Sequence, residues 1–395
     1  MSPCFATFHK NEFDSFFSSP YNPAVKYLCP DCGKKFSLAE RIFRCSCGSF
    51  LEVTGSGFFS KKDLKNREFT IWRYREAFGL PGSVKPVSLG EGRTPIIQKR
   101  VEEIDLLFKL DFLQPSGSFK DRGASVLLSL VRHLGIKQAV EDSSGNAGAA
   151  VSAYAAAAGI QCTVYVPAYT PDGKLTQMRL YGSEVVKVPG KRQDANQAVI
   201  EASKHSYYAS HLWHPLFVMG LQSAAFEIWE QLEGRIPERI ILPIGGGGFF
   251  EGLYLGFVAM KKAGFIREYP QLIGVQAEKC PPIHRAFQRG LPDFLEMEVE
   301  GTVAEGIAVQ RPPRARAVLK ALRESGGFTI GVQEEEIFSA EKVLFSLGLF
   351  VEPTSASALA GWFKMPLKER RRTLILLTGN GLKETGKLSE LFPAP

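Results

Sequence analysis

The sequence lacks a long apolar run. No hydrophobic stretch reaches the roughly 18 to 20 residues that a helix needs to cross a bilayer, which excludes a helical membrane span. The opening residues, MSPCFATFHKNEFDSFFSSP, carry Glu12 and Asp14 and no clean apolar segment. They do not read as a secretory leader, so the expected compartment is the cytoplasm. A strong charge of one sign is also missing. A formal net charge of +7 over 395 residues suits anionic small molecules but is too thin to indicate nucleic-acid binding. Short basic clusters such as Lys368–Arg372 precede apolar runs and read as solvated loops or helix ends. There is no internal repeat and no low-complexity tract. No Gly-Lys-Ser/Thr follows a glycine-rich turn, which excludes a nucleotide P-loop. No G-x-G-x-x-G stands near a first strand, which argues against NAD.

What is present is globular composition, 45% hydrophobic and 23% charged, in a chain long enough for two or three domains with a sizeable core. Of seven cysteines, four fall close together: Cys29, Cys32, Cys45 and Cys47. Cys4, Cys162 and Cys280 are scattered. Clustering of this kind in a cytosolic chain points to metal rather than disulfides. Short strand-like pieces flank C-x2-C and a tighter C-x-C within YLCPDCGKKFSLAERIFRCSCGSFLEVT, residues 27–54. A small zinc ribbon has this form, and four thiolates would make its metal structural, with no open position for chemistry. A ribbon held by packing, with free thiols, is the competing reading. The aromatic-rich stretch Phe5–Phe17 reads as an arm against the body or a partner subunit.

From about residue 60, strand candidates alternate with helical segments. Strands are expected at Ile104–Leu110, Gln138–Glu141, Thr163–Pro167, Glu184–Val188, Ile240–Ile244, Leu272–Gln276 and Leu374–Leu377. Helical spacing covers Ala124–Leu134, Ala149–Ala158, Leu175–Tyr181 and Leu253–Met260. This is the order of α/β units with parallel sheets, whose ligands sit at the carboxyl ends of the strands.

Four loops at such ends can carry chemistry. In QPSGSFKDRG, residues 114–123, Lys120 stands at a helix start, where a cation is disfavoured. Either Ser116 caps the helix and Lys120 is an exposed side chain, or Lys120 is a nucleophile toward a carbonyl cofactor, kept neutral by burial and the helix field. In DSSGNAG, residues 142–148, the turn is either purely conformational or an anion cradle, with the Asn146 amide free to donate to a phenolate oxygen. The four glycines Gly245, Gly246, Gly247 and Gly248, before Phe249, cost order but let backbone approach a phosphate at a helix start. In TGNGLK, residues 378–383, Thr378 is either part of a plain turn or a neutral hydroxyl partner for a ring nitrogen. His133, His211 and His214 read as core or helix-end histidines.

The order of these loops resembles the fold type II pyridoxal-phosphate enzymes of the tryptophan-synthase-β group, and within it threonine synthase. The carrying residues are SLGEGRTP (88–95), SGSFKDRG (116–123), SSGNAG (143–148), the four glycines, AEGIAV (304–309), VEPTSASALAG (351–361) and TGNGLK (378–383). The resemblance runs from about residue 27 to 385. It implies an α/β fold of two domains with mainly parallel sheets, the cofactor at their interface, and a small zinc-ribbon-like module. The expected limits are 1–56 for arm and ribbon, 57–125 with 216–395 for the large domain, and 126–215 for the small one. It further implies that Lys120 holds pyridoxal phosphate covalently and then moves protons as a base. Asn146 would bond the phenolic oxygen, Gly245 to Gly248 with the Phe249 backbone the phosphate, and Thr378 would face the ring nitrogen. Ser143 and Ser144 would take the substrate carboxylate. Arg93, Thr94, Ser118 and Arg122 are substrate-side candidates, the two arginines for a departing phosphate. The implied reaction turns O-phospho-L-homoserine and water into L-threonine and phosphate, in a homodimer. The alternatives are β-replacement on O-phosphoserine, as in cysteate synthase, or a binding protein on a decayed enzyme fold. Arg93, Phe249-Phe250-Glu251 and His214-Pro215 depart from the family pattern and are expected near the substrate side.

Overall fold

The computed structural model describes residues 25–392. Cys4 and the Phe5–Phe17 arm lie outside the described residues. A small antiparallel sheet comes first, from β1 (Lys26–Leu28), β2 (Lys35–Phe36) and β3 (Glu52–Thr54), in the order β2-β1-β3. Its two turns bring the four cysteines together.

A six-stranded sheet contains β4 (Ile96–Val101), β5 (Ile104–Leu110), β10 (Arg239–Pro243), β11 (Gln271–Ala277), β12 (Phe328–Val332) and β13 (Thr373–Leu377). Their order is β12-β11-β10-β13-β5-β4, parallel except for the edge hairpin β4–β5. A four-stranded sheet contains β6 (Gln138–Glu141), β7 (Gln161–Pro167), β8 (Glu184–Val188) and β9 (Tyr207–Tyr208). Its order is β8-β7-β6-β9, all parallel.

The central strands of the large sheet are mostly apolar and buried, as suits strands covered on both faces. All five residues of TLILL in β13 are buried, as is IILP of β10. Helix Pro353–Phe363 packs against this sheet on one face, and helices Gly248–Lys262 and Ala315–Glu324 lie on the other side of the core. Edge strand β4, IIQKRV, alternates half-buried and exposed residues, which suits an edge. Helix Lys120–His133 is buried along nearly its whole length against helices Asn146–Ala158 and Pro215–Leu221. Phe217 approaches Gly123 so closely that an added Cβ would lie 2.3 Å from its ring. A Cβ added at Gly220 would likewise lie 2.1 Å from the Arg122 carbonyl oxygen. The two small residues let these helices cross at close range.

The ribbon is fastened to the body by polar and aromatic contacts. Arg316 pairs with Asp31 at 2.6 Å and donates to Ser49 Oγ at 3.1 Å. Phe50 is buried beneath the guanidinium of Arg314, 5.2 Å from its ring centroid. Tyr27 meets the His214 ring edge-on at 5.7 Å.

Candidate active site between the two parallel sheets

Both sheets point their carboxyl ends at one cleft, and the four loops meet there. Helix Lys120–His133 begins at Lys120 itself. Its N-cap is Phe119, with no side-chain cap; Ser116 is no cap but donates its backbone N–H, at 2.6 Å, and its hydroxyl to the Asp121 carboxylate. The preceding turn is sewn to the end of β13: Phe119 N–H donates to Thr378 O at 3.0 Å, and Asn380 N–H to Gly117 O at 3.0 Å. Lys120 is thereby held beside Thr378. Burial lowers its pKa to about 8, although the charges of Glu141 and Glu352 push the other way. Roughly a quarter of the amine is then neutral at pH 7.5, against about one part in a thousand for an ordinary lysine.

The glycine loop follows β10. Added Cβ atoms would meet Gly306 O at 2.6 Å from Gly245, Leu212 Cδ2 at 2.2 Å from Gly246 and Val318 Cγ2 at 2.8 Å from Gly247, whose φ is +94°. Gly248 opens helix Gly248–Lys262 and has nothing nearer than 3.7 Å. The loop is pressed against the body on one side and presents the first N–H groups of a fifteen-residue helix on the other. Phe249 stacks on Phe119 at 4.3 Å and 9°, which ties the glycine loop to the lysine turn. Lys120 Nζ lies 4.7 Å from the centroid of that Phe119 ring.

Asn146 is the first residue of its helix and donates its amide to both Glu352 oxygens, at 3.0 and 2.9 Å. Ser143 and Ser144 sit half-buried before that helix start, and the Ser143 hydroxyl accepts from Gly145 N–H at 3.3 Å. Thr378 Oγ1 contacts Ser355 Oγ at 3.1 Å. Ser355 also accepts from the N–H groups of Thr378 and Gly379, at 2.9 and 2.8 Å, and so fixes the turn from behind. Ser118 is fully buried and its hydroxyl has no partner among the described residues, which leaves it open to a bound polar group.

These residues fit pyridoxal phosphate. There is an amine of lowered pKa, a glycine cradle at a helix start, an amide donor, a hydroxyl at the end of β13 and an unsatisfied buried Ser118. The four thiols fit zinc in the same sense. All four Sγ atoms lie within 4.8 Å of one another, with Cys29–Cys47 and Cys32–Cys45 at 3.5 Å. A tetrahedral Zn–thiolate site has sulfur–sulfur edges of about 3.8 Å.

The arginine expectations are corrected. Arg122 is fully buried and all of its donors are engaged. It bonds Asp111 twice at 2.8 Å, Glu227 at 2.6 and 2.7 Å, Ser223 at 3.0 Å and Thr94 at 3.3 Å. Thr94 is buried and donates to Asp111 at 2.6 Å. Lys109 completes this network through Glu227 at 2.7 Å. Burial alone would raise Glu227, but Arg122 and Lys109 hold it down at about 2. Arg93 is exposed, in left-handed backbone with φ 44°, and covers the Phe69 ring at 3.3 Å. Arg122 is thus committed to its carboxylates and Arg93 to the Phe69 ring. The other departures also belong to the body. His214 is buried, accepts from Leu216 N–H at the start of its helix and contacts Tyr207 OH at 2.7 Å. Phe250 is core, and Glu251 pairs with buried Arg314 at 2.8 Å.

Sequence reasoning missed Glu141 and its pairing with His211, which is almost buried, as a core histidine would be. These side chains come from the carboxyl ends of neighbouring strands β6 and β9 and bond each other at 2.5 Å. It also missed Lys383, which donates to Ser116 O at 3.0 Å over the lysine turn.

The chain belongs to the pyridoxal-phosphate dependent enzymes, whose family model matches residues 87–379. Within that class it is similar to the threonine synthase of Methanocaldococcus jannaschii, 34% identical over 373 residues, covering 90% of this chain and 92% of that protein. The threonine synthase of Methanosarcina acetivorans is also 34% identical, over 383 residues, 93% of this chain and 94% of the relative. Among solved structures, a threonine deaminase from T.th. superposes with a TM-score of 0.61 at 28% identity, over 73% of this chain and 92% of that one.

Proposed function

We propose that this chain is a threonine synthase, converting O-phospho-L-homoserine and water to L-threonine and phosphate. The observation that carries this reading is near-full-length similarity to threonine synthases in a chain whose cleft gathers Lys120, Asn146, the glycine cradle and Thr378. When bound, pyridoxal phosphate supplies an electron sink that stabilises negative charge beside the substrate amino group.

The remaining chemistry belongs to the chain. Lys120 carries the cofactor and, as a neutral amine, takes and returns protons at substrate carbons. Asn146, held by Glu352, would donate to the phenolic oxygen. The N–H groups from Gly245 to Phe249 would hold the cofactor phosphate without needing a cation. Thr378 would give the ring nitrogen a neutral hydroxyl partner. Ser143, Ser144 and the helix start behind them receive the substrate carboxylate, and Ser118 donates to a bound polar group. We further propose a homodimer in the cytoplasm.

Purified holoprotein should release phosphate from O-phosphohomoserine and form threonine, and should give no product from O-phosphoserine with sulfite. Sulfite-dependent phosphate release from O-phosphoserine, with none from O-phosphohomoserine, would replace this reading with a β-replacement enzyme.

A further inference from the structure

Making threonine from O-phosphohomoserine needs more proton traffic than one amine handles conveniently. Cγ must gain a proton to become a methyl group, and water must lose one as its oxygen bonds to Cβ. The cleft holds a second acid–base assembly. Glu141 ends β6 and is fully buried; one carboxylate oxygen bonds His211 Nδ1 at 2.5 Å, and the other has no side-chain partner among the described residues. His211 follows β9, pairs with no described residue through Nε2, and keeps 10% of its side chain exposed. Its backbone lies beside the phosphate loop: an added Cβ on Gly248 would be 4.0 Å from His211 O, and Leu212 fills the space against Gly246. Lys120 is close enough for its charge to act on both members of the pair.

The neighbouring Asp142 is already saturated. It accepts from Tyr208 OH at 2.7 Å, Asn196 at 2.9 Å and Arg192 at 2.9 Å. The cluster Glu141, Asp142 and His211 is therefore no open cation site, and Arg192 and Lys120 would repel a cation from it.

We propose that His211, oriented by Glu141, is the group that takes the proton from the water adding at Cβ. The inference rests on the threonine-synthase reading above. An O–H bond of water breaks as the oxygen lone pair forms the Cβ–O bond. The proton passes to Nε2, and the Nδ1 proton moves to Glu141. The electron pair displaced from Cβ is drawn toward Cα, where Lys120 supplies the closing proton. The relay resets when Glu141 returns the proton to Nδ1 and the Nε2 proton passes to Lys120, the amine left neutral by its delivery to Cα.

Two further observations fit this use. Burial, reinforced by the charge of Asp142, raises the proton affinity of Glu141, while burial, with Lys120 and Arg192, holds His211 neutral. A Glu141 carboxylate that accepts the Nδ1 proton leaves Nε2 free, and its raised affinity lets it take that proton as Nε2 gains one, so the imidazole builds no net charge. The carboxylate also selects the imidazole tautomer, so Glu141 is a positioning residue for His211.

The test uses holoenzyme variants His211→Asn and Glu141→Gln on O-phosphohomoserine. If water addition fails after phosphate has left, the unsaturated skeleton hydrolyses to 2-oxobutyrate and ammonia, so the product ratio reads the step directly. His211→Asn should keep the visible absorbance of bound cofactor, keep KM within about threefold and lose threonine formation by about 10²- to 10⁴-fold. 2-Oxobutyrate should become its main product. Glu141→Gln should shift the ratio the same way by a smaller factor. A His211→Asn enzyme that retains wild-type turnover and product ratio overturns the proposal. If that variant does not hold cofactor, Glu141→Gln decides: an unchanged ratio there overturns it, and a shifted ratio upholds it. A wild-type enzyme that makes no threonine sinks the functional reading itself and this inference with it.

Discussion

Replacing Arg122 with methionine separates two roles that the sequence leaves equally open. The guanidinium is fully buried and holds Asp111 and Glu227, themselves almost inaccessible, with five bonds of 3.0 Å or less to those carboxylates and Ser223. Methionine fills the volume but leaves two carboxylates facing Lys109 alone. Removing one partner from a buried ion network costs about 3 to 5 kcal/mol. With a urea dependence of about 3 kcal/mol per molar, the unfolding midpoint should fall by roughly 1 to 1.5 M. KM for the phosphorylated substrate should stay within about threefold in the folded fraction at low urea. Adding Glu227→Gln to Arg122→Met removes the surplus negative charge, so the double variant should be more stable than the sum of its parts by about 1 kcal/mol or more. The reasoning is refuted if Arg122→Met unfolds at the wild-type midpoint while KM rises a hundredfold, for then Arg122 meets substrate.

The remaining predictions concern the cleft and the ribbon. Lys120→Ala should abolish the visible absorbance of lysine-bound cofactor and lower turnover by roughly 10³-fold or more; retained turnover would remove Lys120 from its role. Burial, with Glu384 adding to it, raises Glu352 from 4.5 to about 7. The folded, cofactor-free chain then binds this proton more tightly than the unfolded chain. That contribution is complete below about pH 4.5 and is lost as pH rises to about 7, a change of about 3 kcal/mol. Glu352→Gln should accordingly gain stability over wild type across that window, and a flat difference in denaturant midpoint would contradict the shift. Cys45→Ser should lower bound zinc from about one per chain to near zero by elemental analysis. A wild-type chain purified without zinc under reducing, metal-replete conditions would mean a ribbon held by packing.

What was legible in the sequence is what local pattern encodes. The buried strands of the large sheet carry short apolar runs, so the cores of β10, β11 and β13 stand out, as does the mostly apolar Ile104–Leu110 despite Asp105 and Lys109. The glycine loop is visible because Gly245 to Gly247 admit no side chain at all. The four cysteines announce themselves by spacing. Short or half-polar pieces were not legible: β9 is two residues long, and β4 reads IIQKRV. The roles of charged side chains failed for a different reason. Arg122 and Glu227 are 105 positions apart, and Glu141 and His211 are 70 apart. Only the packing of helix Lys120–His133 on its neighbours, and the pairing of β6 with β9, bring them together. A lone arginine in a family motif looks like an anion ligand until its carboxylates are found.

With Arg122 committed to its buried carboxylates and Arg93 to the Phe69 ring, the cleft becomes a site of exchangeable protons more than one of fixed charge. Burial moves each of its ionisable groups toward neutrality: Lys120 down to about 8, His211 lower than usual, Glu352 up to about 7, and Glu141 upward. Such a site has a physical consequence. Phosphate groups brought in by cofactor and substrate would be the dominant local charges and would raise the basicity of Lys120. Phosphate departure would reverse that shift and make Lys120 a better proton donor at the stage when Cα must be protonated. The glycine cradle holds the cofactor phosphate through backbone N–H groups, and that anion stays throughout. The leaving phosphate is therefore the variable charge, and its exit couples bond breaking to the return of protons without a dedicated cation in the cleft.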